Sequence, residues 1–310
     1  MELIRGLHNL RPRHRGCVAT IGNFDGVHRG HQAVLAELNA RAEALGLPSL
    51  AMIFEPQPAE YFAPERAPAR LTRLREKLAA IAACGVGRVL LLHFDHRLAG
   101  MVPRRFVEEL LIDRLGTRLL FVGDDFRFGR DRAGDHALLE SYQARGFFEL
   151  ASLPTVRLGG ERISSTRIRD ALAAGDLALA ERLLGRPYHV CGHVAHGFQR
   201  GRTIGFPTAN IALRRRRSPV HGVYAVWVGG LGARPRAGVA NVGNRPTVDG
   251  GDAFWLEVHL FDFDELIYGR HVDVRFVRKL RDEKKFESFE ALKRQIQRDA
   301  AAARELLLGQ

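Results

Sequence analysis

The sequence has few cysteines and no long apolar run. Three cysteines occur among 310 residues, at positions 17, 84 and 191, and they are too few and too far apart for a disulfide framework or a Cys-x-x-Cys site. No stretch reaches the roughly 18 consecutive apolar residues of a membrane-spanning helix, and the N-terminal segment lacks the apolar core of a signal peptide. These absences argue against the disulfide-rich secreted class and the membrane-spanning class, and they predict a soluble, cytoplasmic protein.

The residues that are present are those of an ordinary globular protein with an excess of positive charge. Hydrophobic residues make up 46% of the chain, and 310 residues are enough for two domains with their own cores. The formal net charge is +12, which favours polyanionic ligands such as nucleotides, nucleic acids or acidic surfaces. The charge alone does not distinguish these ligands.

The segment GNFDGVHRGH, residues 22–31, has the pattern of a phosphate-binding turn. A short β-branched run precedes it at 17–21 and a stretch rich in Ala, Leu and Glu follows at 31–45, so we expect a strand, a turn and a helix. The glycines of the turn allow close approach of a ligand, and the free amides at a helix start attract an anion. A phosphate group is therefore the expected ligand.

His28 and His31 are the candidate catalytic residues of this turn. They lie three residues apart at the start of the predicted helix, so both imidazoles can face one oxyanion and stabilise developing charge. The His-x-Gly-His element resembles the signature of the nucleotidyltransferase superfamily, which joins a nucleotide to a phosphorylated acceptor. Two alternatives stay open, a zinc site without a recognisable third ligand and a purely structural turn.

Apolar runs alternate with helical stretches from residue 17 to about residue 158. The predicted strands are the runs at 49–54, 88–94 and 117–122, and the predicted helices are the stretches at 72–84 and 103–115. We expect Thr72 to cap the first of these helices, and Gly85 and Gly116 to end them. The alternation predicts a Rossmann-like parallel sheet that binds ligands at the carboxyl ends of its strands.

The segment Ile163-Ser-Ser-Thr-Arg167 opens a further predicted helix that ends at Gly175, and Asp176 caps another that ends at Leu184. The hydroxyls and amides at the first of these helix starts, together with Arg167, can grip a phosphate chain from the side opposite to the histidines. Simple helix capping is the alternative interpretation. We predict a boundary at Arg186 that separates an N-terminal domain, 1–185, from a C-terminal domain, 186–310.

The pattern changes to short strands beyond this boundary. The predicted strands lie at 188–194, 222–228, 236–242, 254–261 and 272–277. Short strands at close spacing predict an antiparallel β-barrel. The chain ends in a predicted helix from Ser288, whose apolar stripe we expect to pack on the barrel: Phe289, Leu292, Ile296, Ala300, Ala303 and Leu307.

The segment Pro207-Thr-Ala-Asn210 carries candidate metal ligands. Thr208 and Asn210 lie two residues apart on an extended segment and so point the same way, where their neutral oxygens can hold a magnesium ion that is bound to nucleotide phosphates. Glycines upstream allow a phosphate-enclosing loop, although glycine between strands usually indicates only a turn.

Glu257 is the candidate general base of the second half. It shares a face of its predicted strand with His259, while Leu256, Val258 and Leu260 face the core. A carboxylate beside a metal-bound triphosphate can accept the proton of an attacking hydroxyl. A solvated strand glutamate is the alternative.

Two loops at strand ends combine rigid or aromatic residues with charge. These loops, FEPQP at 54–58 and GDDFRFG at 123–129, suit a flat heteroaromatic ring, although aromatic residues in loops also fill cores. Five motifs occur in the chain order GNFDGVHRGH, FEPQP, RLT at 70–72, GDDFRFG and ISSTRIR at 163–169. In this order they resemble the FMN adenylyltransferase module of bacterial bifunctional riboflavin kinase/FAD synthetases. Gln57 is a departure, because many members have histidine there.

This resemblance implies direct attack of the FMN phosphate on the α-phosphorus of ATP, with pyrophosphate as the leaving group. The implied catalytic residues are His28, His31 and Arg167, which orient the phosphates and stabilise the transition state. The implied ATP-binding residues are Gly22, Asn23, Phe24, Asp25, Gly26, His28, His31, Ser164, Ser165, Thr166 and Arg167. The implied flavin-binding residues are Pro56, Pro58, Asp124, Phe126 and Arg127.

A second set of motifs closely resembles the riboflavin kinase module of the same family. The set consists of PTAN, GVANVGNRPT at 238–247, LEVHLFDF at 256–263, YG at 268–269 and RDEKKF at 281–286. It implies that Thr208 and Asn210 bind Mg²⁺ and that Glu257 is the base toward the ribityl 5′-hydroxyl. The implied ATP-binding residues are Gly197, Gly201, Thr203, Gly205, Thr208 and Asn210.

The combined expectation is phosphorylation of riboflavin to FMN by the barrel, followed by adenylylation of FMN to FAD by the parallel sheet. The expected partners are ATP, riboflavin, FMN and FAD, with apo-flavoproteins as candidate recipients, and we expect neither nucleic acid nor a membrane as a partner. Two alternatives remain. One is a nucleotidyltransferase for another small phosphorylated substrate, and the other is a basic nucleic-acid-binding protein with the arginine run 214–217.

Overall fold

The chain forms two compact units. The structure is a computed structural model that describes residues 1–123, 125–152, 155–195, 206–213, 217–246 and 252–309. One unit comprises Met1–Pro68 and Thr72–Ile163, and the other comprises Ala69–Leu71 and Ser164–Gln310. The predicted site residues Asp124, Gly197, Gly201, Thr203 and Gly205, and the arginines at 214–216, lie outside the described residues. The functional boundary at Arg186 stays a prediction.

The first unit is built on a six-stranded parallel sheet. Its strands are β1 (Glu2–Arg5), β2 (Cys17–Ile21), β3 (Ser49–Glu55), β4 (Arg88–His93), β5 (Thr117–Val122) and β6 (Glu149–Ser152), and a separate antiparallel pair consists of β7 (Arg157–Leu158) and β8 (Glu161–Arg162). The order is β1-β4-β3-β2-β5-β6, and each neighbouring pair runs parallel. The predicted parallel sheet is confirmed, although β1 and β6 were not predicted.

Helices cover both faces of this sheet. They are α1 (Arg29–Ala44), α2 (Pro58–Phe62), α3 (Leu74–Ala83), α4 (His96–Ala99), α5 (Pro103–Arg105), which continues as a π-helix (Phe106–Arg114), and α6 (His136–Ala144). Short 3-10 turns lie at Leu7–Asn9, Pro12–His14 and Arg130–Arg132. Gly85 and Gly116 adopt positive φ angles of 80° and 54° just after their helices, as the sequence predicts.

Strand β2 lies inside the sheet and is buried along its whole length. Its alternating side chains supply two cores: residues 17, 19 and 21 pack on one face, and Val18 packs on the other with Leu35 and Leu38 of α1. The strand order reverses at β2, because β3 and β4 lie to one side and β5 to the other. The loop after β2 therefore opens at the switch point, where sheets of this type bind ligands.

The second unit contains a closed antiparallel barrel, and its described residues also form three helices. Its elements are α7 (Ser165–Ala173), α8 (Leu177–Leu184), β9 (His189–Ala195), β10 (Ala209–Ala212), β11 (Gly222–Gly229), β12 (Arg236–Pro246), β13 (Asp252–Leu260), β14 (His271–Arg281) and α9 (Phe289–Leu308). The barrel order is β10-β13-β12-β11-β14-β9, and β9 closes it by pairing with β10. The predicted barrel and terminal helix are confirmed.

Helix α9 packs on the outside of the barrel through its second half. Ala300 and Ala303 are buried against a small apolar cluster of strands β11 and β12, and Arg304 forms a bidentate ion pair with Asp262 at 2.8 and 2.9 Å. The first half of the predicted stripe behaves differently, because Phe289 remains 58% exposed. This half of α9 borders an open groove instead of a packed core.

Candidate active sites

The Gly22–His31 turn brings the two histidines into contact at the start of α1. His28 is the N-cap, and its Nδ1 accepts a hydrogen bond from the backbone N–H of His31 at 3.3 Å. Because Nδ1 accepts, the proton of the neutral ring lies on Nε2, which can donate to a ligand. The two rings stack with their centroids 3.6 Å apart. This end of α1 therefore offers imidazole and amide donors together.

His31 is held in its neutral form. Burial, followed by the nearby charges of His28, Lys77 and Arg162, holds the pKa of His31 well below its usual value of 6.5. Its Nδ1 is shielded from solvent and has no hydrogen-bond partner among the described residues. His31 thus differs from a cationic phosphate clamp, because its lowered pKa favours the neutral ring near pH 7.

The depressed pKa of His31 predicts a pH-dependent loss of stability. Below about pH 6.5 the unfolded chain binds a proton at this residue and the folded chain does not. The free energy of unfolding therefore falls by up to about 1.4 kcal/mol for each pH unit of acidification. We expect the stability of His31→Gln to fall less than that of the native chain between pH 7 and pH 5.5 in urea titrations. The control is His96→Gln, at an exposed histidine of α4. If the free energy of unfolding falls equally with pH in the native chain and in His31→Gln, the lowered pKa of His31 is contradicted.

Thr72 holds the turn in place from outside it. Its backbone N–H and its hydroxyl donate to Asp25 Oδ1 at 3.0 and 3.2 Å, and its Oγ1 accepts from the Gly26 N–H at 3.0 Å. The prediction of Thr72 as a helix cap is wrong, because α3 begins at Leu74 with Arg73 as its N-cap. Sequence reasoning did not select Thr72 as a residue that supports the site. The hydroxyl-bearing residue in the RLT motif could have indicated this role.

The backbone of the turn is strained at two non-glycine residues. Phe24 and Val27 have φ angles of 47° and 41°, in the left-handed region that such residues rarely adopt. Both side chains are buried in the core beneath the turn. Asp25 is also buried, at 3% exposure, so its carboxylate supports the loop through Thr72.

Aromatic side chains cluster where β3 and β4 end. Phe54, Tyr61, Phe62 and Phe94 have neighbouring ring centroids 5.2 to 5.8 Å apart, and Phe62 is 65% exposed. Pro56 lies in the loop after β3, and Pro58 is the first residue of α2, which carries Tyr61 and Phe62. Sequence reasoning did not select Tyr61, Phe62 or Phe94, because the cluster forms only when two strands bring distant segments together.

Side chains of the second predicted flavin loop, at 126–128, contact other residues of the protein. Phe126 stacks on Phe128 with centroids 5.4 Å apart, and both rings pack against the core. Arg127 forms an ion pair with Asp135 at 2.8 Å. The alternative that these aromatic residues fill the core therefore applies to Phe128 and in part to Phe126.

The Ser164–Arg167 segment belongs to the second unit. Ser164 is the N-cap of α7, and its Oγ accepts from the backbone N–H of Arg167 at 3.2 Å. Ser165 and Arg167 are half-buried, and Thr166 is exposed. The capping interpretation thus holds for Ser164, and the contribution of these residues to ATP binding stays a prediction.

Strand register brings the predicted groups of the barrel together. Asn210 on β10 lies opposite Glu257 on β13, and Glu257 lies opposite Asn241 on β12. Directly opposed residues of antiparallel strands project to the same side, so these three form a row on the outer face of the barrel. The side-chain Nδ2 of Asn210 donates to the Thr208 carbonyl at 3.1 Å. The amide oxygen of Asn210 is therefore the atom suited to a cation.

Two cavities lie beside this row, and Thr208 borders both. The first, of about 370 Å³, is lined by Thr208, Asn210 and the segment 263–268. The second, of about 500 Å³, is the groove under the first half of α9, and it contains Glu257. Its wall combines apolar side chains with charged ones: Phe206, Phe286, Phe289, Leu292, Ile296, Arg281, Glu283 and Lys284.

Comparison with known proteins agrees with this two-part arrangement. Residues 10–167 match the family model described as FAD synthetase, and residues 184–307 match the one described as riboflavin kinase. Curated relatives from Escherichia coli and Pseudomonas fluorescens, both named bifunctional riboflavin kinase/FMN adenylyltransferase, are each 54% identical over 306 residues. The alignments cover 98% and 99% of this chain and 97% and 98% of the relatives.

The chain belongs to the bifunctional riboflavin kinase/FMN adenylyltransferase family. A crystal structure described as a macrolide-efflux protein from Streptococcus pneumoniae is also similar, with 32% identity, a TM-score of 0.80 and coverage of 98% of this chain and 99% of that one. The two activities predicted from the sequence, riboflavin kinase and FMN adenylyltransferase, are confirmed. Their modules occur in the predicted order, with the FAD synthetase match first.

Membership of this family gives the chain the two flavin activities as its function. The two activities imply riboflavin, FMN and ATP as substrates, and the riboflavin kinase match accounts for the barrel. Within the described ranges, no three His, Cys, Asp or Glu side chains converge to hold a metal ion, so the zinc alternative for His28 and His31 has no third ligand there. None of the described helices is long and apolar enough to cross a membrane.

Proposed function

We propose that the barrel phosphorylates riboflavin across the two cavities that meet at Thr208. ATP binds in the first cavity with its phosphates at Thr208 and Asn210. Riboflavin binds in the second, with its ring system against the apolar side chains of α9 and its 5′-hydroxyl toward Glu257. The observation that carries this proposal is the register of Asn210 opposite Glu257, because it supports a phosphate site and a base on neighbouring strands.

The residues at this place fit a magnesium ion. Mg²⁺ prefers oxygen ligands, and Thr208 and Asn210 offer a hydroxyl and an amide oxygen, while the amide nitrogen of Asn210 is already used by the Thr208 carbonyl. We infer that these two residues hold the ion. When bound, it neutralises part of the negative charge of the ATP phosphates.

Glu257 acts as the general base of the kinase reaction. Its carboxylate accepts the proton of the riboflavin 5′-hydroxyl, and the hydroxyl oxygen forms a bond to the γ-phosphorus of ATP. The bond between the γ-phosphorus and the bridging oxygen breaks, and ADP leaves. The products are FMN and ADP, with the proton held on Glu257.

The riboflavin groove is tested by adding a charge to its wall. Ile296 faces the groove and Gln297, the next residue on α9, is exposed. We expect Ile296→Lys to raise the KM for riboflavin at least about tenfold, because a lysine in an apolar flavin site costs binding free energy. Gln297→Lys, the matched control, keeps the KM within about twofold. Equal KM values for the two variants would contradict the placement of the flavin.

We also propose that the Gly22–His31 turn binds the ATP that is consumed in FAD synthesis. A phosphate oxygen of FMN bonds to the α-phosphorus, the bond to the bridging oxygen breaks, and pyrophosphate leaves. His28 Nε2–H and the amides at the start of α1 donate to the phosphate oxygens, so no protein nucleophile is needed. Ser164, Ser165, Thr166 and Arg167 remain predicted ligands of this ATP.

The FMN ring is proposed to pack on the aromatic cluster formed by Phe54, Tyr61, Phe62 and Phe94. Exposed aromatic faces beside rigid prolines suit a flat heteroaromatic ring. We expect Phe62→Ala to raise the KM for FMN about five- to tenfold with little change in kcat, because a stacking partner is lost. The matched control is Phe147→Ala, at another partly exposed phenylalanine of the same unit. An unchanged KM for FMN in steady-state assays would place the ring elsewhere.

A cytoplasmic location is part of the proposal. Both reactions consume ATP, and none of Cys17, Cys84 and Cys191 forms a disulfide bond. FMN and FAD are expected to pass to apo-flavoproteins in the same compartment.

A further inference from the structure

His259 lies on the same outward face of β13 as Glu257, two residues further along, and the kinase chemistry proposed above gives it no role. Its side chain borders the groove that contains Glu257 and Thr208. The ring is packed between Phe206 and Phe261, with centroid distances of 5.0 and 5.9 Å. The guanidinium of Arg304 in turn lies over Phe261 at 4.5 Å. These contacts fix the orientation of the imidazole.

The polar contact of His259 is with the backbone of the PTAN segment. Its Nδ1 lies 2.8 Å from the carbonyl oxygen of Pro207. A carbonyl oxygen can only accept, so Nδ1 carries the proton in both the neutral and the protonated ring. The bond therefore does not depend on the charge of His259.

The peptide groups on both sides of Thr208 are held by side chains. The Pro207 carbonyl accepts from His259 on β13, and the Thr208 carbonyl accepts from Asn210 on β10. The first of these bonds crosses to the strand that carries Glu257. This bond links Thr208 to β13, where Glu257 lies two residues before His259. His259 thereby fixes the position of Thr208 relative to Glu257.

We propose that His259 is a positioning residue of the kinase site, whose Nδ1–H holds the Pro207 carbonyl so that Thr208 faces both the nucleotide phosphates and Glu257. The inference rests on the proposed kinase site at Thr208, Asn210 and Glu257. It assigns His259 no contact with the reacting atoms.

Three substitutions of His259 distinguish the effect of losing its hydrogen bond from the effect of losing its ring. Asparagine carries an amide N–H at the position of Nδ1, glutamine places it near Nε2, and alanine has no donor. We expect His259→Ala and His259→Gln to raise the Mg²⁺ concentration for half-maximal riboflavin kinase activity, and the KM for ATP, about three- to tenfold, which is the range for loss of one hydrogen bond. His259→Asn is expected to stay within about twofold of the native chain. FMN adenylylation, measured on the same samples, is expected to be unchanged.

The outcomes distinguish this inference from the kinase assignment itself. If the native chain forms no FMN from riboflavin, the proposed function fails. If the native chain is active and His259→Ala shows unchanged Mg²⁺ and ATP dependence, the positioning role is wrong. If His259→Asn is as impaired as His259→Gln, the ring and not the N–H matters, and the proposal is overturned. The comparison of these two variants still decides the matter if His259→Ala does not fold.

Discussion

Glu257→Gln is expected to lower the kcat for riboflavin phosphorylation at least about 100-fold, because a positioned general base typically contributes a factor of about 10² to 10⁴. Glutamine keeps the shape of the side chain and removes the ability to accept a proton. FMN adenylylation by the same sample is expected to stay within about twofold, because the ATP of that reaction is proposed to bind at the Gly22–His31 turn of the first unit. The measurement is the initial rate of FMN formation, resolved by chromatography, at saturating ATP and magnesium.

The groove offers a matched control for Glu257. Glu283 is a second carboxylate in the same cavity, and its Oε1 accepts from the side-chain amide of Asn241 at 3.1 Å. We expect Glu283→Gln to change kcat by less than about fivefold, because its carboxylate already has a partner within the protein. A Glu257→Gln variant that keeps a third or more of the native kcat would contradict the assignment of the base.

His28→Ala is expected to lower the kcat for FMN adenylylation about 100- to 1,000-fold, with riboflavin phosphorylation unchanged. The substitution removes the Nε2–H donor, and loss of one such donor at a developing negative charge costs about this factor. It also removes the N-cap of α1, which typically costs about 1 kcal/mol of stability. Both reactions are measured on one preparation, so the kinase rate reports whether the chain is folded.

His28→Asn separates the two roles of this histidine. Asparagine is a good N-cap, so it is expected to restore the thermal stability lost in His28→Ala. It cannot place a donor where Nε2 lies, and we expect adenylylation to remain impaired. Recovery of activity together with stability would mean that His28 acts only as a cap.

The sequence predicts the helices and strands in which apolar residues form a clear run or recur at regular spacing. Strand β5 coincides with the predicted run at 117–122, because five of its six residues are buried and the run is apolar. Strand β1 was missed because a single residue, Ile4, is buried and the remaining positions are half-buried or exposed, as is typical of an edge strand. Helix α6 and strand β6 were not predicted either, although Asp135 caps that helix by accepting from the Leu138 N–H.

The sequence offers candidate site residues where one short motif contains all the groups. His28 and His31 belong to a single turn, and Thr208 and Asn210 to the single segment 207–210. Thr72, Phe94 and His259 were not selected as site residues, because each makes its contacts with a partner far away in the sequence. Strand pairing and helix packing bring such partners together, and a local pattern contains no information about the register that results.

Two separate ATP-dependent sites are proposed to act in succession on one flavin. The most direct test is a time course with riboflavin, ATP and magnesium for the native chain and for Asn210→Ala, with FMN and FAD resolved by chromatography. We expect the native chain to form FMN and then FAD. The variant is expected to form no FMN from riboflavin and to convert added FMN to FAD at the native rate. Failure of the native chain to produce FAD, or loss of both steps in Asn210→Ala, would contradict the account.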